Sequence, residues 1–325
     1  MNSLVRKIAQ IIVDRESADR PVTVWSQYEA KILKKTKKLL INYQDPLISF
    51  KLQSSKINAH LSHQLPFILK HHPYYSSNLG RVASYVSQKY SHSKIIDIGA
   101  NIGDSVAILR GYVSSPILCV EGHPPFLELL VKNTAQFQDV AIAVNYLGDT
   151  TESLPMQLEG IGGTAHLSST VNAFHTKSSD QLSIVTLDHL LATHSEFLDS
   201  KLIKIDTDGF DGKIIRGAQG ILQRSKPVIF FEYDPHFLTQ QGDDGLSIFR
   251  MLQTIGYSGV IIYDNVGKLL LTLPKIDLDR LQEIHSYFSN RNSYLYCDIC
   301  IFHSDDQDLY TKARQSELEF FHHAP

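Results

Sequence analysis

The sequence predicts an α/β fold in which helices wrap a mostly parallel sheet, and three observations carry that prediction. From Lys94 onward, short apolar runs alternate with amphipathic helical stretches, a strand, helix, strand rhythm that demands parallel strands joined by right-handed crossovers. Four of these runs close on an acid, at Asp97, Glu121, Asp206 and Glu232. The stretch from Lys94 to Asp104 reads as a buried strand, a turn rich in Gly and Asn, and a helix start, an arrangement that turns backbone amides toward a ligand.

With 325 residues, 43% of them apolar and 20% charged, the chain can bury a large core in one large or two modest domains. The formal charge of −3 gives no electrostatic case for a nucleic-acid partner. No apolar run is long enough to span a bilayer, and Arg6, Lys7, Asp14 and Arg15 interrupt the first apolar residues, so neither an anchor nor a signal peptide is expected. Cys119, Cys297 and Cys300 are too few for a disulfide scaffold, and a reducing cytoplasm is the expected location. Cys297 and Cys300 fall in an apolar run that reads as a late strand. Alternation would point their sulfurs to opposite faces, and no second pair completes a zinc set, so both read as core.

In chain order, Leu4, Ile8, Ile11 and Ile12 recur at helical spacing, and a second helix carries Tyr28, Ile32, Leu39 and Leu40 on one side. Its other side bears Lys31, Lys34, Lys35, Lys37 and Lys38, a stripe suited to solvent or to peripheral contact with an anionic membrane or glycan. Ile48, Phe50 and Leu52 alternate with polar residues, as do Ile57, Ala59 and Leu61, which predicts a hairpin. Residues 66–75 read as a loop and 81–90 as a helix. Residues 1–90 are thus expected to form a helical and β-hairpin cap, and residues 91–325 the ligand-binding domain.

The first turn holds Gly99, Ala100, Asn101 and Gly103 between Asp97 and Asp104. Glycine permits positive φ and close backbone approach, and Asn tolerates that conformation better than other side chains. The spacing is not the dinucleotide pattern Gly-x-Gly-x-x-Gly, and two carboxylates beside it suit a cationic or neutral ligand better than a pyrophosphate. S-adenosylmethionine, with its sulfonium and ammonium groups, fits. The second strand, 116–120, ends in Glu121, Gly122 and His123, where a carboxylate can accept from both ribose hydroxyls; Pro124 and Pro125 then start a helix. A third strand, 140–146, leads to Gly148 and Asp149, which reads either as an adenine contact or as a plain turn.

Residues 150–185 are less periodic, and the Gly-rich segment with Thr164 and His166 reads as a substrate loop or simply a loop. A fourth strand, 202–205, ends in Asp206, Asp208 and Asp211 before one helix running to Leu222; a fifth, 227–231, ends in Glu232 and is followed by His236. Parallel strands place these acids along the edge where open α/β sheets bind ligands. Singly, each acid could be a helix cap or a solvated turn. A helix closed by Gly256, strands at 260–263 and 269–273, a helix at 278–288, a strand at 296–302 whose end is expected to bring His303 near the acceptor, and a tail helix complete the reading.

The blocks Ile96 to Gly103, Val120 to Pro124, Leu147 to Asp149, Val185 to Asp188, Lys204 to Asp211 and Phe231-Glu232, in that order and spacing, resemble the FkbM-type methyltransferases over roughly residues 94–235. The chain departs from that pattern at Asp208 and Asp211, where the family usually has Glu, and at Gly122-His123, where Pro-Asn is common. The resemblance implies a class I methyltransferase fold, a Rossmann-like, seven-stranded, mostly parallel sheet closed by an antiparallel hairpin. It also implies S-adenosylmethionine as donor and O-methylation of a small-molecule, sugar or natural-product hydroxyl. Asp97, Gly99, Ala100, Asn101, Gly103, Asp104, Glu121, Gly122, His123, Gly148 and Asp149 are then expected around the donor. Thr164, His166, Asp211 and Glu232 are expected around the acceptor.

Asp206 or Asp208 is the expected general base, with His236 and His166 as runners-up. Asp206, Asp208 and Glu232 are alternatively ligands of a divalent metal that lowers the alcohol's pKa. Two rival readings share the sheet. A nicotinamide-dependent oxidoreductase lacks its glycine pattern here, and a non-catalytic scaffold or glycan-binding module would have no use for the intact loop and acid row.

Overall fold

The computed structural model describes residues 3–18, 24–155, 157–161, 164–168, 181–289 and 295–323. Helices α1 (Ser3–Ser17) and α2 (Val24–Tyr43) precede the hairpin of β1 (Leu47–Leu52) and β2 (Ser55–His60), followed by α3 (Leu65–His71) and α4 (Ser77–Lys89). The alternating part then begins with β3 (Ile95–Ile98), α5 (Asp104–Arg110), β4 (Ile117–Val120), α6 (Pro124–Thr134) and β5 (Val140–Ala143). An inserted set follows: β6 (Tyr146–Leu147), β7 (Glu152–Pro155), β8 (Gln157–Ile161), β9 (Thr164–Ser168) and β10 (Gln181–Val185).

The wrapping resumes with α7 (Leu187–Thr193), β11 (Leu202–Ile205), α8 (Asp211–Arg216), α9 (Gln219–Arg224) and β12 (Val228–Tyr233). It continues through α10 (Pro235–Gln240), α11 (Leu246–Thr254), β13 (Tyr257–Asp264) and β14 (Leu269–Leu273). The described chain ends with α12 (Leu278–Ser289), β15 (Cys297–His303) and α13 (Gln307–His323).

The central sheet has eight strands in the order β14-β13-β15-β12-β11-β3-β4-β5. Strands β12, β11, β3, β4 and β5 run parallel, and β15 lies antiparallel between β12 and β13. This is the expected class I methyltransferase arrangement with one strand more, because β14 adds an outer edge to β13. The two strands that close the sheet, β13 and β15, are antiparallel neighbours but not a hairpin, since β14 and α12 intervene.

Four-residue apolar runs with both faces buried are what a doubly covered parallel sheet requires. One face packs Ile96, Val120, Ile203 and Phe231 against Leu190, Ile214 and Phe249 of the surrounding helices. The other packs Ile95, Cys119, Leu202 and Phe230 against Val82, Val106 and Leu309. Cys297 joins the first cluster and Cys300 the second, as strand alternation required. The hairpin is seated on α5 and α6: Ile48, Ile57 and Ala59 share a cluster with Ile102, Ile108 and Leu129, and Asn133 Oδ1 accepts from the Asn58 backbone at 2.9 Å.

Five readings of the sequence change. Residues 65–71 form a helix, since Pro66 lies in its first turn, where its missing N–H costs nothing. The third strand stops at Ala143, and Tyr146-Leu147 pairs instead with β10. The segment read as a loop around Thr164 and His166 holds strand β9, which pairs with β8, and β7 and β6 flank β10. The helix after β11 breaks in two at Gly217, where a Cβ would stand 2.1 Å from the Gly148 carbonyl oxygen. An additional helix, α10, follows β12 because the Asp234 side chain accepts from the His236 amide and caps it.

Candidate active site

The turn after β3 is built from left-handed residues, with φ of +71° at Gly99, +47° at Asn101 and +83° at Gly103. Gly99 cannot be another residue without movement of β11, because a Cβ there would meet the Asp206 carbonyl oxygen at 1.9 Å. The Gly99 amide donates to Val120 O at 3.0 Å, which ties the turn to the end of β4. There Glu121 Oε2 accepts from the Asn101 amide at 2.9 Å and Oε1 from the His123 amide at 2.7 Å. Burial nevertheless pushes the Glu121 pKa up, against the pull of those amides.

Above this turn lies a cleft, open to solvent, whose walls include Gly99, Asn101, Glu121, His123, Tyr146 and Asp206. Gly122 lets the Tyr146 ring lie against the backbone, since a Cβ would stand 2.6 Å from it. Tyr146 Oη and His123 Nδ1 are buried with no hydrogen-bond partner among the described residues. Unpaired polar atoms in a cleft wall are costly unless a ligand meets them. An adenosyl donor fits these residues: Glu121 would receive ribose hydroxyls, and the wall polar atoms would meet the base.

The expected donor contacts therefore divide. Gly99, Asn101, Glu121, Gly122 and His123 line the cleft. Asp97, Ala100, Gly103 and Asp104 are not on its wall; they build the turn behind it. Asp97 is fully buried, with Oδ1 3.2 Å from Lys204 Nζ, and its other oxygen accepts from Ser105 Oγ. Gly148 and Asp149 do not line the cleft either; Asp149 Oδ2 instead stands 3.5 Å from Arg216 Nε. Asn145, Tyr146 and Leu147 take the place on the wall.

Lys204 is the one cation at the heart of this cluster among the described residues. Its Nζ donates to Gly99 O at 2.9 Å and lies 3.4 Å from Asp206 Oδ2. Burial alone would lower its pKa, but Asp97, Asp206 and Asp104 outweigh that and hold it above the ordinary value. Asp104 is pushed up to about 6 by burial, with Lys204 opposing. A lysine inside an otherwise apolar strand is the sequence signal for Lys204, which enters the sequence reading only as the first residue of the block Lys204 to Asp211.

The acids beyond Lys204 share one face. Asp97 pairs with Lys204, Lys204 with Phe230, and Glu232 with Asp298 in the sheet register, and residues two apart on β12 point the same way. Burial and then Asp206 and Asp208 push the Glu232 pKa well above the usual carboxyl range, and its Oε2 has no partner among the described residues. Asp208, held at φ +51°, is raised by burial and by Asp206. Asp211 is pushed up to about 7 by burial and Asp206. Its Oδ2 accepts from Thr207 Oγ1 and the Gly209 amide, so it braces the turn and is not on the cleft wall.

Three further side chains border these acids and were missed. Asp298 accepts from Asn78 Nδ2 at 3.0 Å. Tyr75 and Tyr296 both feel Asp206, Asp298 and Glu232, which, after burial, raise their phenol pKa values. Because β15 runs antiparallel, its start at Cys297 lies beside Tyr233 at the acid edge, while His303 lies at the far end beside Tyr257. His303 is therefore remote from the site, with Nε2 3.1 Å from Ile255 O.

His236 is exposed on α10, its Nε2 2.9 Å from Gln240 Nε2, and lies off the cleft wall. Thr164 and His166 fall in β9, but their side chains lie outside the described residues. Among the described residues no group of three or more His, Cys, Asp or Glu is placed to hold a metal ion, so Asp206, Asp208 and Glu232 do not form the ligand set considered from sequence. Four carboxylates crowd one rim around a single lysine, and crowding of that kind suits proton transfer.

Residues 97–258 match the family model described as the methyltransferase FkbM domain. No curated protein matches the chain. Among solved structures, the methyltransferase FkbM from Methylobacillus flagellatus KT is 16% identical with a TM-score of 0.34, over 51% of this chain and 41% of that one. The chain thus spans less than half the length of that protein. The O-methyltransferase from Bacillus cereus in complex with SAH is 12% identical with a TM-score of 0.38, over 83% and 97% of the two chains. M. jannaschii TYW2 in complex with AdoMet is 8% identical with a TM-score of 0.37, over 80% and 88%.

Proposed function

Since this chain belongs, through residues 97–258, to the FkbM methyltransferases, we propose that it is an S-adenosylmethionine-dependent O-methyltransferase acting on a sugar, polysaccharide or natural-product hydroxyl. The observation that carries this reading is the junction at Asp206, which belongs both to the cleft bounded by Glu121 and to the acid rim of Asp208 and Glu232. The donor, when bound, supplies an electrophilic methyl group. The chain's own task is to hold the acceptor oxygen in line and to take its proton. Positive charge disappears in this step, so orientation supplies most of the acceleration.

Asp206, its side chain 53% exposed and 3.4 Å from Lys204, takes the proton, with Asp208 as the alternative base. Lys204 keeps the Asp206 carboxylate aimed, and the raised proton affinities of Asp208 and Glu232 offer the next stations. Tyr75, from the cap of residues 1–90, and Tyr296 border the acceptor side, where flat rings and carboxylates suit a polyhydroxy molecule. Labelled donor incubated with a panel of glycans and small alcohols should mark the acceptor. Asp206→Asn should lower turnover by about 100-fold or more while calorimetric donor affinity changes only a few fold. Retained turnover rejects Asp206 as the base; lost donor binding moves it to the donor site.

A further inference from the structure

Both N-terminal helices turn an apolar stripe to solvent. On α1, Leu4 and Ile11 are 59% and 54% exposed while Ala9, Ile12 and Val13 are buried. On α2, Tyr28, Ile32, Leu39 and Tyr43 are 60%, 64%, 69% and 74% exposed. Of the apolar side read from the sequence, Tyr28, Ile32 and Leu39 thus face solvent and only Leu40 packs; among the described residues it and Ile41 are those of that helix that join the hairpin cluster.

At about 100° per residue, the four exposed residues of α2 fall within about 60° of arc, bordered on one flank by Lys31, Lys34, Lys35 and Lys38. Lys31 Nζ stands 5.8 Å over the Tyr28 ring. The opposite flank faces protein, where Lys37 pairs with Glu16 at 2.8 Å and Glu29 with Arg15 at 3.1 Å. Helix α2 carries five lysines against one glutamate in a chain whose net charge is −3, so the basic charge is concentrated where the apolar residues are exposed.

We propose that α1 and α2 are a docking surface for an anionic lipid membrane. A polyanion such as a sulfated glycan would use the lysines but leave Tyr28, Ile32, Leu39 and Tyr43 wet. A second copy of the chain packed across a two-fold axis would bring two lysine rows together and pay for their repulsion. The boundary between lipid headgroups and acyl chains accepts both features in the order the helix presents them. The apolar stripe enters the boundary, and the lysine stems lie along it with their ammonium groups among anionic headgroups. No described helix is long and apolar enough to cross a membrane, so the contact is interfacial.

The full chain is tested by flotation with vesicles of phosphatidylcholine alone and with added phosphatidylglycerol. The expected result is binding to the anionic vesicles, weakened by salt and absent from the neutral ones. The double variants Ile32→Glu with Leu39→Glu, and Lys34→Glu with Lys35→Glu, should each lower partitioning by about tenfold or more. Neither should alter the melting temperature or calorimetric donor binding, since no altered residue touches the cleft. The proposal is overturned by absence of binding to anionic vesicles, by equal binding to neutral ones, or by binding that both variants retain. It is equally overturned by heparin retention without vesicle binding, or by a dimer in sedimentation that Ile32→Glu with Leu39→Glu dissolves.

Discussion

Glu232 and Asp298 face each other across β12 and β15, and the second of them makes stability depend on pH. Burial, opposed by the bond from Asn78 and reinforced by Asp206, pushes the Asp298 carboxyl from 3.8 up to about 7. The folded chain then keeps a proton that the unfolded chain releases, so stability is intact below about pH 4 and is lost as pH rises through about 7. Asp298→Asn keeps the shape without the charge. Its melting temperature should match the parent at pH 4 and exceed it at pH 8 in thermal unfolding followed by circular dichroism. An equal shift at both pH values sinks the assignment. Asp211, also near 7, adds to the same slope in the parent.

At the scale of the element, the turn between β3 and α5 depends on one close approach. Gly99 sits at φ +71° with the Asp206 carbonyl oxygen where its Cβ would be, so the glycine turn and the end of β11 are a single packed unit. Gly99→Ala adds a left-handed strain of about 1–2 kcal/mol and forces β11 away. A loss of about 2–4 kcal/mol in urea unfolding is expected, with donor affinity in calorimetry falling alongside it. Unchanged stability would mean that the turn and β11 move independently. This element was legible in the sequence because glycine, asparagine and a preceding apolar run are local signals. The break at Gly217 was not, because the atom that forbids a side chain belongs to Gly148, far away in sequence.

Across the whole molecule, α4 and α13 are joined by a buried ion pair between residues 236 positions apart. Arg81 Nε and Nη2 each donate to Glu317 at 2.8 Å, Tyr85 Oη donates to the same carboxylate at 3.0 Å, and the guanidinium lies 4.2 Å from the Phe320 ring centroid. Removing one partner strands the other in the core. Glu317→Ala should therefore cost about 3–5 kcal/mol in denaturant unfolding, whereas a loss under about 1 kcal/mol would show the pair to be dispensable. Helix α4 also carries Asn78, which holds Asp298, so loosening α13 should reach Asp298 through α4.

Read alone, the sequence determined the α/β layering, the ends of β4 and β11, and the glycine turn, because apolar period and turn chemistry act over a few neighbouring residues; β3 and β12 run one residue past Asp97 and Glu232. It placed Glu121 at the cleft for the same reason. Tertiary structure decided which acids share a face, that Asp97 and Asp211 brace the site from behind its wall, and that Tyr75, Asp298 and Lys204 belong with Asp206. It also brought Tyr296 and Asp298 to the acid edge in place of His303, and turned Tyr28, Ile32 and Leu39 of α2 outward. Strand direction, register and the surface left uncovered are set by contacts between distant segments, and a string of neighbours does not contain them.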